Sequence, residues 1–246
     1  MIRVSDLKKA FGRKVVLDGI TFTLGKGESL VVIGGSGTGK SVLLKCLLGL
    51  ETADQGKIEI AGQIRPKPHE MAAHVGMLFQ GGALFDSLPV WQNVAFRLLR
   101  GPARLGKAQA RELAVEKLAR VGLGPEVSDL YPAELSGGMQ KRVGLARAIA
   151  GNPPILFFDE PTAGLDPIMA AVINALIREI VTEMGATAIT ITHDMRTLRD
   201  VADRVAMLHE GRFYWQGSAD EALSTDDAVM QQFTQGRTTG PIPTLR

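Results

Sequence analysis

The sequence is poor in three features that would point to particular classes of protein. It has one cysteine, Cys46, among 246 residues, which excludes an internal disulfide and fits a reducing compartment. Its 28 basic and 26 acidic residues leave a net charge of +2, so no global field indicates a nucleic-acid partner. No apolar run approaches the roughly 18 residues of a membrane span, and the first residues lack a signal-peptide core. We therefore expect that, if the protein works at a membrane, another chain supplies the span.

The stretch from residue 30 to residue 50 has the order apolar strand, glycine-rich loop and apolar-rich helix. Residues 34–41 read G-x-x-x-x-G-K-S, which is the P-loop pattern between the flanks that it needs. Backbone N–H groups of such a loop surround a phosphate, and the helix N-terminus adds its positive dipole. Lys40 would reach the β- and γ-phosphates of a nucleoside triphosphate, and the Ser41 hydroxyl would bind Mg²⁺. The alternative, a turn that binds nothing, is disfavoured by the complete motif. The candidate phosphate-binding residues are Gly34, Gly35, Ser36, Gly37, Thr38, Gly39, Lys40 and Ser41.

Strand and helix patterns alternate along the chain. Residues 2–24 alternate apolar and polar, with turns predicted at Gly12-Arg13 and Asp18-Gly19. Residues 56–60 predict a further strand, and apolar runs over 75–79, 155–158, 188–191 and 205–208 predict buried strands. Residues 90–99, 108–121 and 167–184 predict helices, with one loop through Pro66 and Pro68 and another at Gly101.

These patterns predict an α/β fold with a mainly parallel core sheet covered by helices, and an N-terminal antiparallel β subdomain. We expect one domain over residues 1–233, with a helical subdomain inserted over about residues 82–150. Residues 234–246 are polar with two prolines and predict an extended or partly disordered tail.

Polar side chains follow several of the predicted buried strands. Asp159 and Glu160 end the strand over 155–158, at the carboxyl end where open α/β sheets bind ligands. Asp159 suits a Mg²⁺ ligand, and Glu160 can polarise an attacking water. Gln80, which can orient water or contact Mg²⁺, and His193 also follow predicted strands. The alternative is that the acidic pair only caps a turn before Pro161; the P-loop upstream disfavours it.

Ser136, Gly137 and Gly138 precede a predicted helix and form a second candidate anion site. One nucleotide does not need both this segment and the P-loop. We therefore predict a dimer in which each chain's second segment closes on the nucleotide of its partner. On its own, the segment would be interpreted as an ordinary helix cap with a flexible glycine pair.

With these motifs, the sequence resembles the ATP-binding subunits of ABC transporters over essentially its whole length. The resemblance rests on the Walker A loop over 34–41, the Q-loop Gln80, the LSGGM signature over 135–139, Walker B over 155–160, the D-loop over 163–166 and the switch His193. It implies a P-loop ABC ATPase fold that binds and hydrolyses ATP with Mg²⁺. It also implies that Phe11 stacks on adenine and that Asp166 contributes to the nucleotide site. Met139 departs from the more frequent Gln, which puts the usual side-chain contacts there in doubt.

Residues 80–94, QGGALFDSLPVWQNV, and the C-terminal segment are similar to the ATPases of Mla (MCE-associated) lipid transport systems. This resemblance implies phospholipid transport between the inner and outer membranes, which maintains outer-membrane lipid asymmetry. It also implies a membrane permease, an MCE-domain protein and a STAS-domain protein as partners, at the cytoplasmic side of the bacterial inner membrane. The apolar residues between 83 and 91 would either dock a permease helix or pack the helical subdomain. Other hypotheses are an ABC ATPase for another substrate, a soluble ABC ATPase outside transport, and a silent nucleotide-binding regulator; intact Glu160, Gln80 and His193 count against the last.

Overall fold

The structure is a computed structural model that describes residues 1–64, 68–71, 74–100 and 104–243. Pro66 and Gly101, both predicted in loops, lie outside the described residues. Pro68, predicted in the same loop as Pro66, instead begins the short helix Pro68–Met71. The chain divides into two compact units: Met1–Pro68 with Ile191–Arg246, and His69–Thr190. None of the helices in the described part of the chain combines the length and the hydropathy that a bilayer crossing requires.

The described part of the chain contains ten strands and nine α-helices. The strands are β1 (Ile2–Phe11), β2 (Lys14–Leu24), β3 (Ser29–Ile33), β4 (Gln55–Ile60), β5 (Gln63–Ile64), β6 (Val75–Leu78), β7 (Ile155–Asp159), β8 (Thr187–Ile191), β9 (Arg204–His209) and β10 (Arg212–Ser218). The helices are α1 (Lys40–Leu47), α2 (Pro68–Met71), α3 (Val90–Val94), α4 (Lys107–Arg120), α5 (Gly137–Ile149), α6 (Pro167–Met184), α7 (Met195–Val201), α8 (Ala219–Ser224) and α9 (Ala228–Gln235). Two short 3₁₀ turns, Pro125–Asp129 and Pro132–Glu134, precede α5.

The first unit contains a four-stranded antiparallel sheet in the order β2-β1-β4-β5. The predicted turn at Gly12 and Arg13 joins β1 to β2. The predicted turn at Asp18-Gly19 is wrong, because both residues lie inside β2. Gly19 has a φ of 82° beside a shift in the β1–β2 register, and the Asp18 carboxylate accepts a hydrogen bond from Arg212 at 3.0 Å.

The same unit contains β10, β9 and β3 side by side, with β3 parallel to β9 and β10 antiparallel to it. All five residues of β3 are buried, as its apolar run predicts. Val31 and Ile33 of β3 pack in a cluster that includes Met207 of β9 and Met230 of α9. Helices α8 and α9 and strand β10 were not predicted from the sequence. Ala222 of α8 and Met230 of α9 belong to the cluster that contains Val31 and Ile33 of β3, and Trp215 of β10 packs against that cluster.

The segment predicted as a tail begins inside α9, since Thr234 and Gln235 are its last residues. Residues 236–243 have neither helix nor strand. The side chain of Gln232 accepts a hydrogen bond from Ile242 N at 2.7 Å and donates one to Ile242 O at 3.0 Å. This part of the chain therefore returns to α9, and Ile242 packs against the same cluster as Met230.

The second unit contains β8, β7 and β6 side by side, with β6 parallel to β7. Helix α4 lies within a residue of its prediction, but α3 ends at Val94 and turns replace the predicted helix up to residue 99. Helix α6 has the predicted bounds, because Asp166 caps its start before Pro167 and Gly185 ends it with a φ of 57°.

Candidate active site

Glycine is needed in the loop over residues 34–39 for two different reasons, close packing and a left-handed backbone conformation. At Gly34 a Cβ would overlap the carbonyl oxygen of Leu208 and lie 3.0 Å from Thr38 Oγ1. At Gly39, with a φ of 105°, a Cβ would lie 3.0 Å from the Val16 carbonyl oxygen. At Gly37, with a φ of 74°, a Cβ would meet no atom within 4 Å. Close packing requires glycine at the two ends of the loop, and the backbone conformation favours it in the middle.

Lys40 is the first residue of α1 and is buried. Its ammonium group donates to the carbonyl oxygens of Gly34 at 2.7 Å and Gly35 at 2.9 Å. Thr38 Oγ1 also donates to Gly35 O, at 2.9 Å. The α1 N-cap, Gly39, supplies no side-chain cap, and Ser41 is exposed. The loop therefore holds a positive charge beside the N-terminus of α1, which fits a polyphosphate.

Two further predicted residues lie in the first unit. Phe11 ends β1 with its side chain 47% exposed, and the Lys9 ammonium lies 5.0 Å from its ring centroid. That exposure leaves a ring face for an aromatic ligand. His193 is exposed between β8 and α7. Its neighbour Thr192 donates from N to Val32 O at 3.1 Å, so the structure brings the histidine segment beside the end of β3.

The Q-loop in the second unit has an unusual backbone. Gln80 is exposed two residues after β6 ends, and Gly81, Gly82 and Ala83 have φ values of 75°, 79° and 46°. The guanidinium of Arg147, on α5, donates to Gly82 O at 2.7 Å and to Ala83 O at 2.8 Å. Burial lowers the pKa of this guanidinium. Arg147 therefore fixes the loop that follows Gln80 against α5.

The acidic pair lies where the strand pattern predicts it. Asp159 is the last residue of β7 and Glu160 follows it, both half-buried. Glu160 has a φ of 46°, and its carbonyl oxygen accepts from Lys141 Nζ at 3.2 Å and from Ala163 N at 3.2 Å. Burial lowers the pKa of Lys141, while the charges of Asp159 and Glu160 raise it.

The second candidate anion-binding segment opens α5. Ser136 is its N-cap, and its hydroxyl accepts from Met139 N at 3.3 Å, so this contact is made by the Met139 backbone. Gly137 is exposed, while a Cβ on Gly138 would approach Met169 Cε at 2.8 Å. The structure thus brings the start of α5 against α6. At the start of α6, Asp166 is exposed and its Oδ1 accepts from Ile168 N at 2.9 Å and from Met169 N at 3.0 Å.

Sequence reasoning missed Lys141 and Arg147. Both lie on α5 and both donate to backbone carbonyls of predicted functional segments. The helical spacing of the sequence could have identified Lys141. It lies three residues after Gly138 and four before Leu145, which places it on the same helix face as these two buried residues. A lysine on a buried face needs a partner, and that requirement would have marked it for attention.

Ser41 in the first unit and Asp159 in the second are, each taken by itself, side chains of a type that binds magnesium alongside phosphates. Ser41 is exposed and Asp159 half-buried, and a hydroxyl with a carboxylate is the protein contribution that P-loop enzymes make to this ion. Within the described ranges, no group of three or more His, Cys, Asp or Glu side chains can hold a metal alone. Bound Mg²⁺ would supply charge neutralisation at the β- and γ-phosphates.

Comparison with known families identifies the class of protein. The family model described as ABC transporter matches residues 17–163. The chain belongs to the ABC transporter family and is the ATP-binding subunit of an ABC transporter.

Curated relatives match almost the whole chain. The Arabidopsis thaliana protein TRIGALACTOSYLDIACYLGLYCEROL 3, chloroplastic, is 40% identical over 98% of this chain and 75% of its own length. The probable ribonucleotide transport ATP-binding protein mkl of Mycobacterium tuberculosis is 40% identical over 98% of this chain and 68% of its own length. The methionine import ATP-binding protein MetN of Rhizobium johnstonii is 41% identical over 93% of this chain and 64% of its own length.

Solved structures agree with this assignment. A dimeric ATP-binding cassette in a post-hydrolysis state, bound to ADP and Pi, is 27% identical, with a TM-score of 0.80 over 89% of this chain and 99% of its own. The protein cbiO1 from Clostridium perfringens, part of the cbiONQ transporter complex, is 29% identical, with a TM-score of 0.82 over 92% of this chain and 91% of its own. The predicted P-loop ABC ATPase fold is confirmed, with its antiparallel β subdomain and mainly parallel core sheet. The protein is an ATPase that couples ATP hydrolysis to transport.

Proposed function

We propose that this ATPase powers phospholipid transport between the inner and outer membranes and so maintains outer-membrane lipid asymmetry. The supporting observation is 40% identity across 98% of the chain to a protein named for trigalactosyldiacylglycerol, a membrane lipid. The proposed partners are an integral-membrane permease, an MCE-domain protein and a STAS-domain protein. The proposed location is the cytoplasmic side of the bacterial inner membrane, reached through the permease.

A second candidate function is the transport of a small polar solute. The mycobacterial relative is named for ribonucleotides and the rhizobial relative for methionine, and their identities of 40% and 41% are within one percentage point of the 40% of the lipid-named relative. Sequence identity therefore does not separate the substrates, and the choice needs a direct test.

We propose that residues 1–233 form one ATPase domain, with residues 82–150 as its helical part. In it, Gly34 to Ser41 grip the triphosphate of ATP. Lys40 would exchange its carbonyl partners in the loop for phosphate oxygens, because an ammonium binds a phosphate anion more strongly than a neutral carbonyl. Phe11 stacks on adenine, and Ser41, Asp159 and Gln80 hold Mg²⁺.

For hydrolysis, Glu160 orients the attacking water and His193, which is exposed between β8 and α7, acts as the switch residue. Little covalent chemistry is required of the protein, since alignment and charge stabilisation dominate this reaction. Two copies of the chain form the working unit, as in the dimeric cassette bound to ADP and Pi. Ser136, Gly137, Gly138 and Asp166 of each copy complete the nucleotide site of the other.

Two exposed aromatic side chains support a permease partner. Phe79 and Phe85 flank the Q-loop and are 39% and 42% exposed, and the Phe85 ring stacks on Phe96 with 4.2 Å between centroids. In contrast, Val90 of the same apolar segment is fully buried. We propose that the exposed part of this segment contacts the permease and that its buried part packs the helical region.

Glu160→Gln tests the catalytic assignment. The amide keeps the size of the side chain but cannot accept a proton from water, so we expect ATP binding to remain, an ATP-dependent dimer to accumulate, and turnover to fall by at least a hundredfold (about 10²–10⁴ for a general base). Steady-state ATPase assays with size-exclusion chromatography in ATP measure both. Hydrolysis at the wild-type rate would reject Glu160 in this role.

The substrate is tested on the complex purified from membranes. Its bound small molecules are extracted and identified, and its ATPase rate is measured in phospholipid vesicles, with ribonucleotide or with methionine. We expect phospholipid to co-purify with the complex. We also expect the ATPase rate to rise in phospholipid vesicles but not with ribonucleotide or with methionine. Stimulation by one of the polar solutes, without bound lipid, would replace the lipid proposal with the second candidate.

A further inference from the structure

Lys141 is a buried cation in contact with the backbone of Glu160, the proposed water-orienting residue. It lies on α5 with only 3% of its surface exposed. Its ammonium donates to the carbonyl oxygen of Glu160 at 3.2 Å and feels the charges of Asp159 and Glu160. Removing an ammonium from water costs free energy. The burial of Lys141 beside the Glu160 carbonyl therefore indicates that this contact has a role.

The backbone that Lys141 contacts is strained. Glu160 has a φ of 46°, in the left-handed region that residues with a Cβ disfavour. Such conformations persist only where their surroundings hold them, and they are concentrated at functional sites. Lys141 Nζ and Ala163 N both donate to the Glu160 carbonyl oxygen and help to hold this conformation.

We propose that Lys141 is a positioning residue that fixes the backbone of Glu160 and thereby aims its carboxylate. This rests on the proposed function, in which Glu160 orients the attacking water. The ammonium is carried by the helix that begins after Ser136. The backbone of Glu160 is therefore tied to the helix that carries the second anion-binding segment.

A matched control lies in the same unit. Lys117 on α4 is also buried, with 4% of its surface exposed. Its ammonium donates to Asn152 Oδ1 at 3.0 Å and pairs with Glu116 at 3.0 Å. None of these partners belongs to the proposed nucleotide site. Removing its charge perturbs a buried lysine without touching Glu160.

The experiment compares Lys141→Met with Lys117→Met in the full chain. Methionine keeps an unbranched apolar stem and removes the donor. For Lys141→Met we expect kcat to fall about tenfold to a hundredfold, as for a small misplacement of a catalytic group. The KM for ATP and the equilibrium binding of ATP should stay within about twofold, because the contacts that bind ATP in the ground state are unchanged. For Lys117→Met we expect kcat to be unchanged. Thermal unfolding of both variants shows whether they are equally folded at the assay temperature.

Two further variants separate the possible outcomes. Lys141→Gln keeps a neutral donor and is expected to recover part of kcat. In a Glu160→Gln background, Lys141→Met is expected to leave the ATP-dependent dimer intact, since it acts on hydrolysis through Glu160.

A wild-type kcat for Lys141→Met, an equal loss in Lys117→Met, or unfolding of both Lys141 variants would overturn the proposal. If Glu160→Gln itself hydrolyses ATP normally, the proposed role of Glu160 fails first. If Glu160→Gln is inactive while Lys141→Met is normal, only the role of Lys141 fails.

Discussion

Gly34 and Gly37 belong to the same phosphate-binding loop but respond differently to an added side chain. A Cβ on Gly34 overlaps the Leu208 carbonyl oxygen, whereas one on Gly37 meets open space. We expect Gly37→Ala to cost roughly 1–2 kcal/mol of folding free energy from its left-handed φ alone. We expect Gly34→Ala to cost a further 1–3 kcal/mol or so, because the backbone must shift to relieve the overlap.

Chemical denaturation measures these costs, and equilibrium titration with ATP measures their effect on binding. ATP binding should weaken more in Gly34→Ala than in Gly37→Ala, since the overlap moves the N–H groups of the loop. Gly12→Ala is the control, because Gly12 has a φ of 60° and open space around it but lies in the β1–β2 turn. Equal effects at Gly34 and Gly37 would show that φ, and not packing, makes the loop need glycine.

The identities of the candidate site residues were predictable, but their contacts were not. The P-loop pattern selects Lys40 and the strand end selects Glu160, because phosphate binding and water activation need those side-chain types there. The φ of 46° at Glu160 and its tie to Lys141 have no local sequence pattern. The packing of α5 in the folded protein determines both the φ of Glu160 and its contact with Lys141. A short sequence motif contains no information about that packing.

At the scale of elements, helix α9 depends on a charged cap. Asp227 Oδ1 accepts from Val229 N at 3.0 Å and from Met230 N at 2.9 Å, and Oδ2 accepts from Tyr214 Oη at 2.9 Å. We expect Asp227→Ala to lower the free energy of unfolding by about 1 kcal/mol, the usual cost of a lost N-cap. Asp227→Asn keeps an acceptor and should cost less. Thermal unfolding followed by circular dichroism checks both, with the exposed neighbour Asp226→Ala as the control.

The same cap predicts a pH dependence with a definite sign. The Met230 N–H and the Tyr214 hydroxyl hold the pKa of Asp227 below its ordinary value of 3.8. The folded state therefore binds the proton less readily than the unfolded state. The stabilisation by the charge is complete above the ordinary pKa and is lost as the pH falls through the folded-state value. The stability difference between wild type and Asp227→Asn should be constant from pH 7 to pH 5 and shrink below pH 4; a difference that grows on acidification would contradict this.

Most core elements could be predicted because their apolar patterns are strong. The continuous runs of β3, β7, β8 and β9 and the capped, amphipathic α6 were placed within about one residue. The turn predicted at Asp18 failed because its Asp-Gly pair marks a bulge inside β2, with Arg212 holding the aspartate. Strand β10 alternates exposed and half-buried residues, and a capping box at Ser218 and Glu221 opens α8. Those signals were present in the sequence but too short to stand out alone.

At the scale of the whole molecule, the proposed working unit is a pair of chains. Lys40 lies in the first compact unit and Ser136 in the second, and each is proposed to act on a different nucleotide of the dimer. In a symmetric dimer with shared sites, a mutation in either contributing segment is present in both chains and therefore damages both nucleotide sites. Under this proposal, loss of Lys40 removes the contact that a chain makes with the phosphates of the nucleotide in its own site. Loss of the start of α5 removes the closing segment that this chain gives to its partner.

Mixing two inactive variants tests this arrangement. Lys40→Ala chains keep Ser136, and Ser136→Arg chains keep Lys40, so a mixed dimer contains one intact site and one doubly damaged site. Each variant alone should be nearly inactive, because both of its sites lack one component. Random pairing of equal amounts should recover about a quarter of the wild-type ATPase rate if the sites act independently. Activity no greater than the sum of the separate variants would contradict sites shared between chains. Normal hydrolysis by either variant alone would show that the mutated residue is not needed and would equally make the shared-site proposal wrong.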